Sequence, residues 1–560
     1  MTMPDVRVEI AWTTDTSNSD MWLFTDVTPW VEWQDSVKIS RRRQHELDQV
    51  TPGTLTLTLD NSDGRFTAAR AASPYYPHVK INRPIRVRAY WPPSRNLLAR
   101  NASFSVSVGS RTTTFVSPPP GADRSEQWSA GVLAGAASIW LGTSALTTAT
   151  NQANPVTPGQ TYTFSVQVKS TVAVSIRPII RWYGLDGAFI IQSGSPSFTP
   201  LTSSYQGLSV TATAPTGAFF ARVVLTTTGT TGSATTINAG AWQLEAAAAP
   251  SAYELAELDR TRYQGFVDKW PAAWWNGWLS RVALTATDLQ KLLSRQRLTN
   301  VGWITDNQLS GARIEGLLAA AQAFFSFNTL VDTGASVLGL SGQEFEQSIM
   351  ASIRAAAVSE GGVFFIAGGG YPRFYDREHR QRPVESQSPA IELSADQLGT
   401  DLTFVLDDVL LMNEVIVTGA GGIEADPYVD LTSMSSYGTY SGRFETLLKS
   451  LSECEARAAF MALQYADPQP RVGRVSLEAR TQPSLWSVLL GSDIGRRLQI
   501  TDLPPEAPDG VLNLWIEGLQ ETITDESWTF AFDTSPASLT AGFILNDANY
   551  GFLDENRLGW

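Results

Sequence analysis

The chain has 560 residues, a length that predicts three or four domains. Its net charge is −14, with 41 basic and 55 acidic residues, which excludes a general nucleic-acid binder with a basic surface. Hydrophobic residues make up 43% of the chain, enough to bury real cores, and the single cysteine, Cys454, excludes an intrachain disulfide.

The chain opens as β-structure. Val6, Val8 and Ile10 alternate with polar neighbours, as in a strand with one buried face. We find no basic start followed by an apolar run, so no signal peptide is expected. No apolar run approaches the ~20 residues that span a membrane. These features favour a protein made in a reducing cytoplasm.

Residues 42–91 form the most informative segment. Leu55, Leu57 and Leu59 alternate with threonines and predict a strand. A turn follows at 60–64, and alternation over 85–89 predicts the return strand.

Three motifs in this segment carry a resemblance when taken together. ELDQVTPGTLTLTLDNSDGRFT (46–67), SPYYP (73–77) and RPIRVRA (83–89) resemble the opening domain of minor tail proteins of actinobacterial long-tailed phages. Those proteins in turn resemble the tail hub, which closes the end of the tail tube. Later motifs resemble the same family, at 360–381, 409–422 and 498–537.

Residues 101–256 differ sharply in charge from the rest of the chain. They hold 11 charged residues in 156, about a third of the density elsewhere, which marks a separate module. Alternating strands such as 162–168, with turn signals between them, predict a β-sandwich.

The motifs of this module resemble jelly-roll carbohydrate-binding modules of families four and nine. They are NLLARNASF (96–104), VTPGQTYTFSVQVKS (156–170) and WQLEAAAAPSAYE (242–254). Members often have an Asp before the WQLE-like strand that serves a structural calcium. Here Ala239-Gly-Ala stands at that place, so calcium binding stays open.

After the module the first domain resumes, so the module is an insertion whose ends must lie close together. Asn276-Gly277 predicts a hairpin turn, and Thr287 or Asp288 can cap a short helix. Helices are predicted over 313–326 and 343–358, the second from its apolar spacing. The resemblance to the tail-protein family implies a longer helix near 444–464. Gly368-Gly-Gly370 predicts a hairpin between 363–366 and 372–375.

The predicted fold is mainly β and multidomain, with two hub-type β-barrels, a small α/β element between them and an inserted jelly-roll β-sandwich. We divide the chain into the first barrel (1–95 and 257–300), the inserted sandwich (96–256), the α/β element (301–399), the second barrel with its helix (400–540) and a C-terminal tail (541–560). The tail is expected to dock on a neighbour or on the chain's own surface.

Enzyme chemistry finds little support. The three histidines, His45, His78 and His379, lack ligand-like spacing, so neither a metal site nor a Ser-His-Asp site is expected. The acidic pairs Asp407-Asp408 and Asp554-Glu555 are interpreted as solvated surface. The turn at 60–64 lacks the twelfth-position Glu of a calcium loop. We therefore expect no catalytic residue, no metal and no cofactor.

A glycan-binding face is the sharper site hypothesis. If Ile176, Ile180 and Trp182 face the core of the module, their neighbours along the strand line the opposite face. Residues of further strands join them only if those strands are neighbours. The candidates are Gln167, Lys169, Arg177, Arg181, Tyr183 and Arg222. The alternative is an ordinary solvent face with extended arginines.

The resemblance implies a homotrimeric ring at the virion tail tip, assembled in the host cytoplasm. Two barrels in each of three chains would give pseudo-sixfold symmetry and adapt a sixfold tube to a threefold tip. Implied partners are a distal tail protein or tail tube, the tape-measure protein, a receptor-binding or central-spike protein, a host cell-wall glycan, and genomic DNA passing through the lumen. The alternative is a secreted carbohydrate-binding or carbohydrate-active protein or adhesin.

Overall fold

A computed structural model describes residues 3–537 with some gaps. The residues outside the description are 1–2, 14–21, 99–103, 115–117, 121, 134, 143–145, 150–152, 229, 232, 255–257, 276–278, 299–302, 323–326, 343–346, 383–387, 400–401 and 538–560. With 42% strand and 16% helix, the fold is mainly β and multidomain, as predicted. No helix in the described ranges is long and apolar enough to cross a membrane.

The first part of the chain contributes strands on both sides of the insertion. They are β1 (Asp5–Ala11), β2 (Phe24–Asp26), β3 (Val37–Arg42), β4 (Thr54–Asp60) and β5 (Pro84–Trp91). Inside the insertion lie β6 (Phe104–Val106), β7 (Ser110–Thr114), β8 (Ser125–Ala130), β9 (Ser138–Leu141), β10 (Asn154–Pro155), β11 (Thr161–Ser170), β12 (Ser175–Tyr183), β13 (Phe189–Gly194), β14 (Thr199–Pro200), β15 (Gln206–Thr213), β16 (Phe220–Thr228) and β17 (Thr235–Glu245). After it come β18 (Leu258–Lys269), β19 (Ala272–Trp275), β20 (Leu279–Thr287) and helix α1 (Gln290–Arg295).

The rest of the chain mixes helices and strands. Its elements up to residue 375 are β21 (Gln308–Leu309), α2 (Ser310–Gln322), β22 (Leu330–Val331), β23 (Val337–Leu338), α3 (Ile349–Glu360), β24 (Val363–Ile366) and β25 (Pro372–Tyr375). They are followed by β26 (Ile391–Ser394), β27 (Phe404–Val405), β28 (Glu414–Thr418), β29 (Tyr428–Val429), α4 (Leu431–Tyr437), β30 (Ser441–Glu445), α5 (Leu451–Tyr465), β31 (Arg471–Val472), β32 (Arg474–Glu478), α6 (Trp486–Leu489), β33 (Arg497–Thr501), β34 (Leu512–Ile523) and β35 (Trp528–Pro536).

The insertion lies between two strands of one sheet and does not lie between two domains. β18, which follows the module, pairs antiparallel with β5, which precedes it, and β20 pairs with β4. The alternating Leu55, Leu57 and Leu59 are buried, as the period-2 pattern predicts. Tyr75 of the SPYYP motif is also buried and stacks on Trp12 with ring centroids 4.2 Å apart.

The two predicted barrels are joined in one sheet. Six residue pairs connect β3 to the second half of β34, from Val37–Ile523 to Arg42–Gly518. The result is a continuous 13-stranded sheet that contains strands from both ends of the chain. We call all described residues outside 96–254 the body.

A second core lies beside this sheet. The buried faces of α2, α3 and α5 pack with β24 and β28, and apolar residues such as Ile314, Ile353 and Val415 fill the space. Residues 414–465 therefore pack with the α/β element and not with the strands that come after them. Ile349, Ile353 and Ala357 are buried as the predicted stripe requires, while Phe345 lies outside the described residues.

The helix predicted near 444–464 begins later than expected. β30, at Ser441–Glu445, pairs parallel with β28, so this stretch belongs to a strand. Ser450 then caps α5, because its hydroxyl accepts a hydrogen bond from the amide of Glu453. The predicted hairpin across 368–370 is present, with β24 and β25 paired antiparallel.

The insertion forms two antiparallel sheets that pack face to face. One runs β13-β12-β16-β9-β6, with β10 and β14 at its margins, and the other runs β15-β11-β17-β8-β7. Phe164, Ile180, Trp182 and Leu244 lie in the buried core between them. We call residues 96–254 the module. Its ends meet, since the amide of Arg95 donates to the Glu254 carboxylate at 2.8 Å.

Candidate glycan-binding surfaces

The six predicted glycan-binding residues lie on two opposite faces of the module. Gln167 and Lys169 stand on β11, in the five-stranded sheet, whereas the other four stand on β12 and β16 of the seven-stranded sheet. β11 and β12 are consecutive in the chain, but the turn between them crosses from one sheet to the other. Because both strands turn their apolar residues inward, their polar residues point away from each other. The structure does not bring Gln167 and Lys169 to the others.

Two of the remaining four residues are covered. Tyr183 and Arg222 are fully buried, although both point away from the main core. The Tyr183 hydroxyl donates to the Leu146 carbonyl at 2.9 Å, and an Arg222 guanidinium N–H donates to the Thr148 carbonyl at 3.3 Å. Burial raises the pKa of the Tyr183 phenol and lowers the pKa of the Arg222 guanidinium. Both residues hold the segment around 146–149 against the sheet, a role that period-2 alternation does not reveal.

Apolar contacts complete this cover. Trp140, Ile179 and Val224 form a small cluster on the same face. Nearby, Leu23 of the body packs with Tyr183 and Phe220. The middle of the seven-stranded sheet is therefore closed to solvent, and part of it is the joint between module and body.

Two arginines, Arg177 and Arg181, are half-buried along the edge of this sheet, and Arg181 also donates to the Leu146 carbonyl at 3.1 Å. Arg181 lies over the Phe189 ring at 4.7 Å and donates to the Gln192 side chain at 3.1 Å. Arg177 lies over the Phe198 ring at 4.6 Å. We call Arg177, Arg181, Phe189, Gln192 and Phe198 the edge strip. Its two arginines are four residues apart on one strand, or about 13 Å.

The edge strip combines the groups that sugar recognition uses. Phe189 is 41% exposed, so part of its side chain is accessible beside guanidinium and amide donors. The sequence analysis missed Phe189, Gln192 and Phe198. A signal was present, since Gly184-Leu-Asp-Gly187 is a turn followed by the apolar run 189–191, which predicts a hairpin partner for β12.

The opposite face is flatter and more polar. Lys169, Asn238 and Gln127 stand side by side on neighbouring strands. The Lys169 ammonium lies 4.3 Å from the centroid of the Tyr205 ring. One end of this face is covered, because the outgoing linker folds back and Ser251 bonds Glu245. Tyr205 offers an aromatic ring here, beside the lysine.

The described parts of the chain contain no group of three or more His, Cys, Asp or Glu side chains placed to hold a metal. Asp60 accepts from the amide of Ser62 at 2.8 Å, so its carboxylate serves its own turn. Asp407 accepts from a backbone amide and Asp408 from Tyr440, so this acidic pair has separate partners. Asp554-Glu555 lies outside the described residues.

Comparison with known proteins yields distant structural likenesses. No protein-family model matches the sequence, and no curated protein matches it. The tail protein from Neisseria meningitidis MC58 is 12% identical with a TM-score of 0.38, over 67% of this chain and 98% of that one. The 43 kDa tail protein of prophage MuSo2 from Shewanella oneidensis is 9% identical with a TM-score of 0.35, over 67% and 99%. TmCBM61, solved with β-1,4-galactotriose, is 11% identical with a TM-score of 0.21, over 28% and 100%.

Proposed function

We propose that the chain is a structural protein of a phage or phage-tail-like particle, and that three copies form a ring at the tail tip. The ring closes the tail tube and adapts sixfold to threefold symmetry. The sequence support is the set of family-like motifs, three of which fall on the connected strands β4 and β5 and the loop between them.

The observation that carries the proposal is the fixed joint between the two β regions of the body. β3 and β34 are paired along six residues. Beside this seam, Arg43 and Glu517 form an ion pair at 2.6 Å, and both side chains are buried. Arg262 and Glu521 form a second buried pair at 2.7 Å. A chain that presents two β regions to a sixfold tube must hold them at a constant angle, and a paired seam with buried ion pairs supports such a role.

In the proposed ring, three chains place six β regions around the lumen. One rim meets the distal tail protein or tail tube, and the other meets a receptor-binding or central-spike protein. The tape-measure protein ends inside, and genomic DNA passes through the lumen. The net charge of −14 suits a conduit that must not retain DNA.

Copy number and symmetry test the proposal. Light scattering of the purified full chain and quantitative mass spectrometry of virions should both give three copies. Electron cryomicroscopy of the tail tip should show a threefold ring with six β regions facing the tube. A monomer that stays monomeric beside its tube protein, or a particle with one or six copies, contradicts the proposal.

The module is proposed to bind a host cell-wall glycan through the edge strip. The full chain should bind immobilised cell wall or a glycan array, and Arg181→Ala and Phe189→Ala should each weaken binding about tenfold or more, since stacking and charge-assisted bonds are lost. Lys169→Ala on the opposite face is the matched control. Equal loss in the control places the glycan on the other face, and no binding by the wild type removes the proposal.

The same preparation separates the structural role from the carbohydrate-active alternative. We expect no release of reducing sugar or of muropeptides from polysaccharide or peptidoglycan. Turnover that survives purification and scales with the concentration of the chain supports the alternative.

A further inference from the structure

The two sheets of the module differ in charge. The described strands of the five-stranded sheet contain two basic and two acidic residues, Arg111, Lys169, Glu126 and Glu245. The described strands of the seven-stranded sheet contain three arginines and no acid, and these arginines are Arg177, Arg181 and Arg222. Positive charge is therefore concentrated in the sheet that carries the edge strip.

The groups around the edge strip do not neutralise this charge. Asp186, in the turn after β12, is the acid closest in sequence, and its carboxylate accepts a hydrogen bond from the Ala188 amide at 3.0 Å within the same turn. In the described part of the chain, Arg177 and Arg181 donate to uncharged acceptors. These are the carbonyls of Ser195 and Leu146 and the side-chain oxygen of Gln192. Both guanidinium charges therefore stand at half-buried positions with uncharged acceptors around them.

Aromatic rings hold both guanidinium groups in place. Arg181 lies 4.7 Å from the centroid of the Phe189 ring, and Arg177 lies 4.6 Å from that of Phe198. A guanidinium fixed in this way loses little conformational freedom when it binds a ligand. Its planar fork of N–H groups matches a carboxylate or a phosphate, and such charge-assisted hydrogen bonds are stronger than those between neutral groups. The two arginines are thus suited to anionic groups.

The spacing of the two arginines restricts the ligand further. Arg177 and Arg181 are four residues apart on β12, or about 13 Å, so one carboxylate or phosphate cannot contact both. A polymer with a repeated anionic group can contact both, while one of its sugar rings packs on the exposed part of Phe189. A neutral glycan that covered the strip would take two charges out of water without a counter-ion, which costs free energy.

We propose that the edge strip selects glycans with repeated anionic groups, carboxylates or phosphates, over neutral glycans. Arg177 and Arg181 each bind one anionic group, and Phe189 packs against a sugar ring. This inference rests on the proposed glycan-binding function of the module and adds the class of glycan. A chain with a net charge of −14 is repelled by a polyanion as a whole, so the positive charge has to be concentrated at the contact.

Chemically neutralised cell wall tests the proposal with the full chain. Purified cell wall is used untreated, after amidation of its carboxyl groups with carbodiimide and ethanolamine, and after removal of its phosphodiesters with hydrofluoric acid. At least one treatment should weaken binding about tenfold or more, and the effective treatment identifies the anion as carboxylate or phosphate. Equal binding to all three walls overturns the proposal but leaves glycan binding in place. No binding to the untreated wall contradicts glycan binding itself.

A double variant shows whether the two arginines cause the preference. Arg177→Gln/Arg181→Gln should bind the untreated wall about tenfold or more weakly than the wild type does, and should bind the neutralised wall equally well. Lys169→Gln removes a positive charge from the opposite face and is the matched control, so it should keep the full preference. The melting transition of the module shows that each variant is folded. A preference that survives in the double variant, or disappears equally in the control, overturns the proposal.

Salt and DNA give two readouts that need no variant. Raising the ionic strength from about 0.05 M to about 0.5 M should weaken binding of the wild type to untreated wall about tenfold or more, because salt screens the attraction between charges. Binding to the neutralised wall should change much less. A DNA duplex at equal charge concentration should compete about tenfold less well than solubilised wall polymer. Binding that does not respond to salt overturns the proposal, and equal competition by DNA overturns the assignment to a glycan.

Discussion

The module and the body stabilise their sheets by different means. In the body, residues far apart in sequence meet as buried charged groups at the seam, as in Arg43–Glu517 and Arg262–Glu521. In the module, neighbouring strands are linked on the outside by hydroxyl pairs such as Thr161–Thr213 at 3.0 Å. The module, residues 96–254, holds only 12 charged residues, of which Glu126 forms a partly buried pair with Arg111.

This difference separates the requirement for a fixed geometry from the requirement for stability. Burying an ion pair gains little net stability, because desolvation offsets the attraction, but it penalises every arrangement that separates the two charges. The seam of the body therefore fixes the geometry between its parts. The module packs mainly through its apolar core and needs a defined geometry only where it meets the body. We therefore expect the loss of stability to be largest for variants at the seam, smaller at the turn before α1 and smallest at the joint between module and body.

The largest effect is expected at the centre of the seam. Glu517 accepts hydrogen bonds from Arg43, Arg380 and Ser535 and is fully buried. Although burial opposes ionisation, Arg380 and Arg43 hold the pKa of Glu517 far below its usual range. Glu517→Ala leaves two buried arginines without their counter-ion and should destabilise the body by about 3–5 kcal/mol. Calorimetry should show the body transition falling while that of the module stays.

Glu424→Ala is the matched control for this variant. Glu424 pairs with Arg443 at 3.2 Å, and both side chains are about half exposed to solvent. Such a pair contributes at most about 1 kcal/mol, so its loss should leave both transitions nearly unchanged. Similar losses in the two variants contradict the view that buried charge sets the seam.

The second effect depends on pH. Asp288 is buried at the turn into α1. Its carboxylate accepts hydrogen bonds from the backbone amides of Gly53 at 2.6 Å and Gln290 at 2.9 Å. Burial raises its pKa from 3.8 to about 7. The folded state therefore holds this proton more tightly than the unfolded state, and stability falls as pH rises from about 4 to about 7.

Between pH 5 and pH 8 the free energy of unfolding of the body should fall by about 2–3 kcal/mol as Asp288 ionises, since one full unit of pKa difference corresponds to about 1.4 kcal/mol. Denaturant unfolding at several pH values measures this loss. Asp288→Asn cannot ionise, so its curve should be flatter by that amount. Curves of equal slope for wild type and variant would remove Asp288 as the source.

The seam also shows where sequence reasoning stops. Alternation at Leu55, Leu57 and Leu59 predicts the strand and indicates which face of β4 is buried, whereas the drop in charge density over 101–256 predicts the insertion. Alternation cannot show which strand lies at the next edge, because pairing is set by backbone geometry between distant segments. The β3–β34 pairing, across some 480 residues, was therefore missed.

The prediction of the glycan-binding residues is incomplete for the same reason. Alternation places Tyr183 on the side of β12 that faces away from the core, which is correct. It cannot tell that a segment around 146–149 covers that side or that Leu23 of the body packs there. Arg177 and Arg181 lie on the same side of β12 and are half-buried, and Arg181 also donates to the Leu146 carbonyl of the covering segment at 3.1 Å.

The smallest effect is expected where module and body touch. Leu23 packs on Tyr183 and Phe220, and it lies 2.7 Å from where a Cβ on Gly187 would stand. Leu23→Ala removes this contact and should weaken the association of module and body by about 2 kcal/mol. This is the low end for a buried leucine, because neighbouring side chains at the boundary can move in to fill the space. Hydrogen exchange around 146–149 should rise, while both calorimetric transitions remain.

Two further variants separate packing from mere tethering at this joint. Gly187→Ala adds a Cβ against Leu23 at a residue with φ of +78°, so it should loosen the same joint by a comparable amount. Arg95→Ala removes an ion pair at the exposed neck of the module, where solvent screens the attraction, and should leave exchange at 146–149 unchanged. If Arg95→Ala loosens the joint as much as Leu23→Ala does, the module is held by its linkers. A rigid attachment then needs another explanation than the apolar contact.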